Sequence, residues 1–166
     1  MMHRLKIIIY YLLISKLPNS RYLKISNKIR TWYVSTILKI LKTHKNNSFQ
    51  ERIYIGNGKN IEIGKHCQIN ENVFIQGATI GNYVMIAPNV SILNSTHKFD
   101  KINIPIIQQK ALKNNKPIIE YDVWLSRNII ILPSIKIYKG SIIAASSIVT
   151  KKPARLIKKE YNLCQN

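Results

Sequence analysis

The sequence predicts a mainly β protein: a parallel β-helix with a helical segment at its N-terminus, one protruding loop and a short basic helix at its C-terminus. Three observations lead there. Ile119, Leu125, Ile131, Ile137, Ile143 and Val149 stand six residues apart, and a companion set follows four places after each: Val123, Ile129, Ile135, Ser141, Ser147 and Pro153. The same ladder runs earlier as Ile63, Ile69, Ile75, then Ile80, Ile86, Ile92, one residue short near Gly77, with companions Cys67, Val73, Thr79, Val84, Val90 and Thr96. Between the two blocks the period breaks and then resumes. An α-helix repeats its apolar face every three or four residues and a lone strand every two, so a period of six fits neither. It fits a chain that turns a corner after each short strand and buries each repeat by stacking on the next. The residues after the inward aliphatics are small or polar (Gly64, Gly81, Ala87, Ser126, Ala144), which suits a tight corner.

Residues 1–50 form the N-terminal segment and contain no acidic residue. Helices are expected near 4–16 and 26–43, broken at Pro18-Asn19. In the second, Ile29, Trp32, Tyr33, Thr36, Ile37, Ile40 and Leu41 recur at helical spacing, with Lys28, Arg30, Lys39 and Lys42 on other faces. The apolar run Ile7 to Ile14 is too short to span a bilayer, and Lys16-Leu17-Pro18 follows where an export signal would carry a small-residue cleavage site. Two roles stand for this segment: a basic amphipathic surface lying on anionic lipid, or a cap on the open end of the β-helix.

The repeat region is placed at 51–153, interrupted by a loop over 97–116, and a basic tail follows over 154–166. A loop thrown out of a regular stack that continues on both sides is a functional element. The chain has 166 residues and a formal net charge of +19, with the lysines spread along its length. Such an excess suits an anionic partner or reflects a compositional bias toward Lys and Asn; no basic motif interleaved with aromatics supports nucleic acid. Cys67 occupies an inward rung and Cys164 stands apart from it, so a buried reduced thiol in a cytoplasmic protein is expected.

Three features can carry chemistry. His97 is the histidine at the point where the repeat breaks, and an imidazole can take a proton from a hydroxyl near neutral pH. Asn94 or Asp100 can orient it. No third ligand at a metal-binding spacing accompanies His97 and His66, so no metal is expected. Trp124 lies between two inward residues and so points outward, either as a ligand platform or as packing under the loop. Ala144, Ala145, Ser146 and Ser147 are small and are followed by Lys151, Lys152, Arg155, Lys158 and Lys159. A slim channel ending in cations suits a long ligand with a phosphorylated end.

The order Ile80-Gly81-Asn82-Tyr83-Val84-Met85-Ile86-Ala87-Pro88-Asn89-Val90, then Asn94 to Asp100, Ile104-Pro105, Asp122-Val123-Trp124, Ile131-Leu132-Pro133, Lys139 to Ile143 and Val149-Thr150-Lys151 resembles the hexapeptide-repeat O-acetyltransferases. The likeness is to those acting on capsular polysaccharide and O-antigen, and to galactoside and maltose acetyltransferases. The Lys16-Leu17-Pro18 region also resembles the N-terminal segment of the polysaccharide members. The resemblance implies a left-handed coil, an exception to the usual crossover hand. It implies a homotrimer with sites between subunits, acetyl-CoA as cosubstrate, and a sugar or polysaccharide-precursor acceptor. The protein itself is expected in the cytoplasm, with peripheral contact at the inner face of the membrane through the N-terminal segment. In it His97 matches the general base. Trp124, Arg127, Ala145, Thr150, Lys151, Arg155 and Lys158 match coenzyme contacts, and Asn70, with Asn94 and Asp100, falls on the acceptor side. A degenerate scaffold and an N-acetyltransferase on an amino sugar nucleotide are the alternative readings. The sequence departs from the pattern at Ser126, Tyr138, Ala144 and Ser146, where glycines are common. It also departs where Lys152-Pro153-Ala154-Arg155 follows Thr150-Lys151 directly, so that most of a coil is missing.

Overall fold

The computed structural model describes residues 2–150. The hexads form a parallel β-solenoid. Its strands are β1 (Ser48–Phe49), β2 (Ile61–Ile63), β3 (Gln68–Ile69), β4 (Phe74–Ile75), β5 (Ala78–Ile80), β6 (Met85–Ile86) and β7 (Ser91–Ile92), then, beyond the loop, β8 (Ile118–Ile119), β9 (Trp124–Leu125), β10 (Ile130–Ile131), β11 (Lys136–Ile137), β12 (Ile142–Ile143) and β13 (Ile148–Val149). They make three faces. Face 1 stacks β2, β5, β8 and β11; face 2 stacks β1, β3, β6, β9 and β12; face 3 stacks β4, β7, β10 and β13, with every pairing parallel. Each face keeps strict register, so Ile69, Ile86, Leu125 and Ile143 lie over one another inside face 2. The predicted inward set is buried, from Ile63 through Val149, and together these side chains are the core.

Two rungs differ from the expected companions. Ala78 is inside and Thr79 faces outward, because the missing residue lies before this strand, at Gln76-Gly77. Thr96 is exposed and already belongs to the loop. The corners also work differently. The left-handed backbone falls three residues after the inward aliphatics, Ile75 and Ile92 excepted, at Asn72, Asn89, Asp122, Asn128 and Gly140, and also at His66, Tyr83, Ser134 and Ser146. Asn, Asp and Gly adopt that conformation readily; the others do so at a cost of about 1 kcal/mol each. At His66 and Tyr83 an offsetting contact exists: the rings stack 4.6 Å apart at 7°.

Gly64 and Gly81 are needed for a different reason. A Cβ on Gly81 would lie 2.8 Å from the Glu120 carbonyl carbon of the next coil, and a Cβ on Gly64 would run into the Gly81 carbonyl. These glycines let successive corners stack. Gly81→Ala is expected to lower stability by about 2 kcal/mol, read as a fall in melting temperature, because the obstacle is backbone and has no rotamer to yield. An unchanged melting temperature would mean the coils part freely at that corner.

The N-terminal segment holds α1 (Met2–Leu12), a short 3-10 turn at Ile14–Lys16, and α2 (Lys24–Trp32), whose last turn widens over Tyr33–Ile37. The second helix stops short of the expected residue 43. Instead Leu41 pairs with Ile63 and extends face 1, with Lys42 N–H donating to the Ile63 carbonyl at 2.9 Å. The segment caps the solenoid. The Tyr10 hydroxyl donates to the Ile53 carbonyl at 2.7 Å, and the Tyr11 hydroxyl donates to Gly56 at 3.0 Å. The inward side of α2 is not the expected one. Arg30 is fully buried, whereas Ile29 and Trp32 face solvent. Arg30 donates from Nε to the Phe49 carbonyl at 2.7 Å, from Nη1 to Leu17 and Pro18 carbonyls at 2.8 and 3.1 Å, and from Nη2 to Gln50 Oε1 at 3.2 Å. It ties α2, the Pro18 turn and β1 into one unit.

Candidate active site

The loop leaves from the corner between face 3 and face 1, since it joins β7 to β8. Its base is an antiparallel ribbon. Leu112 N–H donates to the Thr96 carbonyl at 2.8 Å, Lys98 N–H to Lys110 at 3.2 Å, and His97 pairs with Ala111. Asn94 clamps the two arms: its carbonyl accepts from Asn115 N–H at 2.7 Å, and its N–H donates to Gln76 Oε1 at 3.1 Å. Asn94 is buried, and its amide packs where a Cβ on Gly77 would stand. The shortened corner at Gly77 is therefore what seats the loop. Farther out, Gln109 is buried and staples the turn. Its Nε2 donates to the Lys101 and Ile104 carbonyls, both at 2.9 Å. On the exit arm Lys116 Nζ meets Glu62 Oε1 at 2.6 Å and holds that carboxyl below its usual range by hydrogen bonding and charge.

The site residues fall into two groups on different corners. His97 and Asp100 are exposed on the loop, with Asn94 beneath them. Asp100 lines a hollow of about 340 Å³ with Lys98, Lys101 and Lys110. Thr150 follows β13 and so sits on this same corner, two coils along from Leu93: Leu93 N–H donates to Ile131, and Leu132 N–H to Val149. The second group lies on face 2 and the corner after it. Trp124 is exposed in β9, in register between Met85 of β6 and Ile142 of β12, both exposed. Arg127 and Ala145 are exposed on adjacent coils of the corner that follows, where the Arg127 carbonyl accepts from Ser146 N–H at 2.9 Å. Asn70 occupies that corner two coils earlier and donates from Nδ2 to the Ile86 carbonyl at 2.9 Å. Lys151, Arg155, Lys158, Pro153, Cys164 and the expected C-terminal helix at 154–166 lie outside the described residues.

The face 2 strip suits a thin, flexible arm. Met85, Trp124 and Ile142 make an apolar column, and Ala144, Ala145 and Ser146 beside it are all exposed and small. Ser146 adopts the left-handed corner backbone, as Gly140 does on another corner. Cys67 offers no nucleophile. It is buried, its thiol lies 3.1 Å from the Gly81 carbonyl, and burial pushes its pKa up. Among the described residues no three His, Cys, Asp or Glu side chains gather to hold a metal.

A hexad-repeat solenoid with a looped-out histidine is the architecture that these observations define. No family model matches the chain. Individual relatives do. It is 38% identical over 98 residues to a galactoside O-acetyltransferase of Lactococcus lactis, covering 57% of this chain and 45% of that protein. It is 33% identical over 126 residues to the galactoside O-acetyltransferase of Escherichia coli, covering 70% and 58%. The chain thus spans about half the length of the curated relatives it matches. The crystal structure of a hexapeptide-repeat acetyltransferase from Vibrio cholerae, complexed with acetyl coenzyme A, aligns with a TM-score of 0.73 at 26% identity, over 90% of this chain and 77% of that one. A maltose O-acetyltransferase from Clostridium difficile shares the fold, with a TM-score of 0.71 at 21% identity. In sequence and fold, then, the chain is similar to these acetyltransferases.

Proposed function

We propose that the protein transfers an acetyl group from acetyl-CoA to a hydroxyl of a sugar or polysaccharide precursor in the cytoplasm, as a homotrimer whose sites lie between subunits. One observation carries the reading beyond similarity. His97 and Trp124 stand on different parts of the prism, the first on the corner between faces 3 and 1 and the second on face 2. A site that needs both takes the loop of one protomer and face 2 of its neighbour, which a cyclic arrangement supplies three times.

In that site His97 takes the acceptor hydroxyl proton as the oxygen attacks the thioester carbonyl. The tetrahedral intermediate collapses, the carbon–sulfur bond breaks, and the imidazolium returns its proton to the coenzyme thiolate. A backbone N–H, for which Arg127 is the candidate, stabilises the oxyanion. Trp124, Arg127, Ala145 and Thr150 line the coenzyme's path, with Lys151, Arg155 and Lys158 assigned to its phosphorylated end. Asn70 and Asp100 contact the acceptor, and Asn94 positions the loop from below.

Subunit complementation tests this. His97→Ala and Trp124→Ala chains are each expected to be inactive alone, measured as coenzyme A thiol release with saccharide acceptors. Coexpressed in equal amounts, about a quarter of the interfaces combine an intact His97 with an intact Trp124, so about a quarter of wild-type activity should return. No recovery in mixed oligomers of confirmed composition would place both residues in one chain's site and overturn the shared arrangement.

A further inference from the structure

Both N-terminal helices present apolar side chains to solvent: α2 turns its apolar side away from the solenoid, and α1 is apolar on both sides, with Ile7, Ile9 and Tyr10 packed inward. Successive helical residues advance by about 100°. On α1, Arg4, Ile8, Leu12 and Leu5 then occupy one continuous exposed arc, with Met2 exposed beyond the partly buried Ile9, while Tyr10 on the other side is buried. On α2, Lys24, Lys28, Trp32, Ile25 and Ile29 occupy another exposed arc, and Ser26, Arg30 and Tyr33 fill the buried side. Tyr22, 88% exposed, and Leu23 precede that arc. A surface helix ordinarily buries its apolar side, the reverse of α2. Contiguous exposed apolar area of this kind marks an interaction surface.

We infer that this helix pair docks the protein on a bilayer surface rich in anionic lipid. The argument is complementarity. The apolar arcs are bordered by Arg4, Lys24 and Lys28, with Lys16 and Arg21 exposed nearby, and no acidic residue occurs in residues 1–50. Two copies of such a surface would bring cations against cations, whereas anionic headgroups neutralise them and acyl chains take the aliphatic side chains. The contact is peripheral: no helix among the described residues is long and apolar enough to cross a membrane. Trp32, on α2 between the cationic and aliphatic edges of its arc, suits the headgroup boundary. The opposite side of each helix still caps the solenoid, so docking needs no unfolding.

Co-sedimentation of the full chain with phosphatidylcholine vesicles, with and without phosphatidylglycerol, tests this without reference to activity. Binding is expected only with phosphatidylglycerol. Lys24→Gln with Lys28→Gln should weaken it about fivefold per cation removed. Leu5→Ser with Ile8→Ser should weaken it at least about tenfold, with melting temperature unchanged because both residues face solvent. Wild-type tryptophan emission should shift to shorter wavelength on anionic vesicles, and the shift should shrink in Trp32→Phe, which isolates Trp32 from Trp124. No binding to anionic vesicles, equal binding to neutral ones, or full binding by the Leu5/Ile8 variant would each overturn the inference. So would a smaller oligomer in that variant, which would show that a second copy covers the face.

Discussion

Replacing His97 with Ala is expected to lower turnover at least about a hundredfold, the usual worth of a positioned general base, while leaving the folded structure intact. The two halves of that expectation have separate grounds. The loop's shape rests on other groups: the Thr96–Leu112 and Lys98–Lys110 backbone bonds, the Asn94 clamp, the Gln109 staple and the Lys116–Glu62 ion pair. His97 joins that ribbon through its backbone bridge to Ala111, and its side chain is exposed. Truncation at Cβ therefore removes the imidazole and little else. The measurement is the rate of coenzyme A release with acceptor present, alongside circular dichroism and the melting temperature. Turnover within a few-fold of wild type in a folded variant would remove His97 from the reaction. Gln109→Ala makes the useful contrast. It touches no proposed reacting group, yet it frees two carbonyls inside the loop, so it should raise KM for the acceptor more than it lowers turnover.

The inside of the solenoid was legible in the sequence because burial repeats. One aliphatic residue per strand must point inward, and nothing else produces Ile119 through Val149 at a spacing of six. The outside carries no such constraint. Trp124 could be assigned to the outer surface from its neighbours, but which face it occupies depends on counting corners across the loop. The separation of Trp124 from His97 emerges only once β7, β8 and β9 are placed on faces 3, 1 and 2. Corner chemistry was hidden for a related reason. Glycine suggested tight turns at Gly64 and Gly81, yet their φ values lie outside the left-handed region, and the residues within it include His66 and Tyr83. What fixes Gly64 and Gly81 is the backbone of the next coil, and that distance is set by stacking. The one-residue gap near Gly77 was visible, but its consequence was not: it brings Gly77 against Asn94 and so seats the loop.

Arg30→Ala is expected to destabilise the protein by about 3 kcal/mol or more, read from the urea midpoint at unchanged slope. The guanidinium is fully buried and donates to three backbone carbonyls, of Phe49, Leu17 and Pro18, and to Gln50. Burial disfavours its charge, and the Glu51 carboxylate and Tyr10 partly offset that. Removing it leaves the carbonyls without donors and a void between α2 and β1. Arg30→Lys should recover less than half the loss, since one ammonium cannot reach the Nε and both Nη partners of a planar fork. Ile29→Ser next to it should cost about 1 kcal/mol, well below the Arg30 loss, because Ile29 is 37% exposed. Helical periodicity alone ranks these the other way, because it sees Ile29 as core and Arg30 as surface. A helix satisfies the pattern by burying either side; here the Leu17 and Pro18 carbonyls at the turn and the Phe49 carbonyl on β1 select the polar one. If Ile29→Ser proved the costlier change, the side of α2 facing the solenoid would be reversed, and with it the exposed apolar arc on which membrane docking rests.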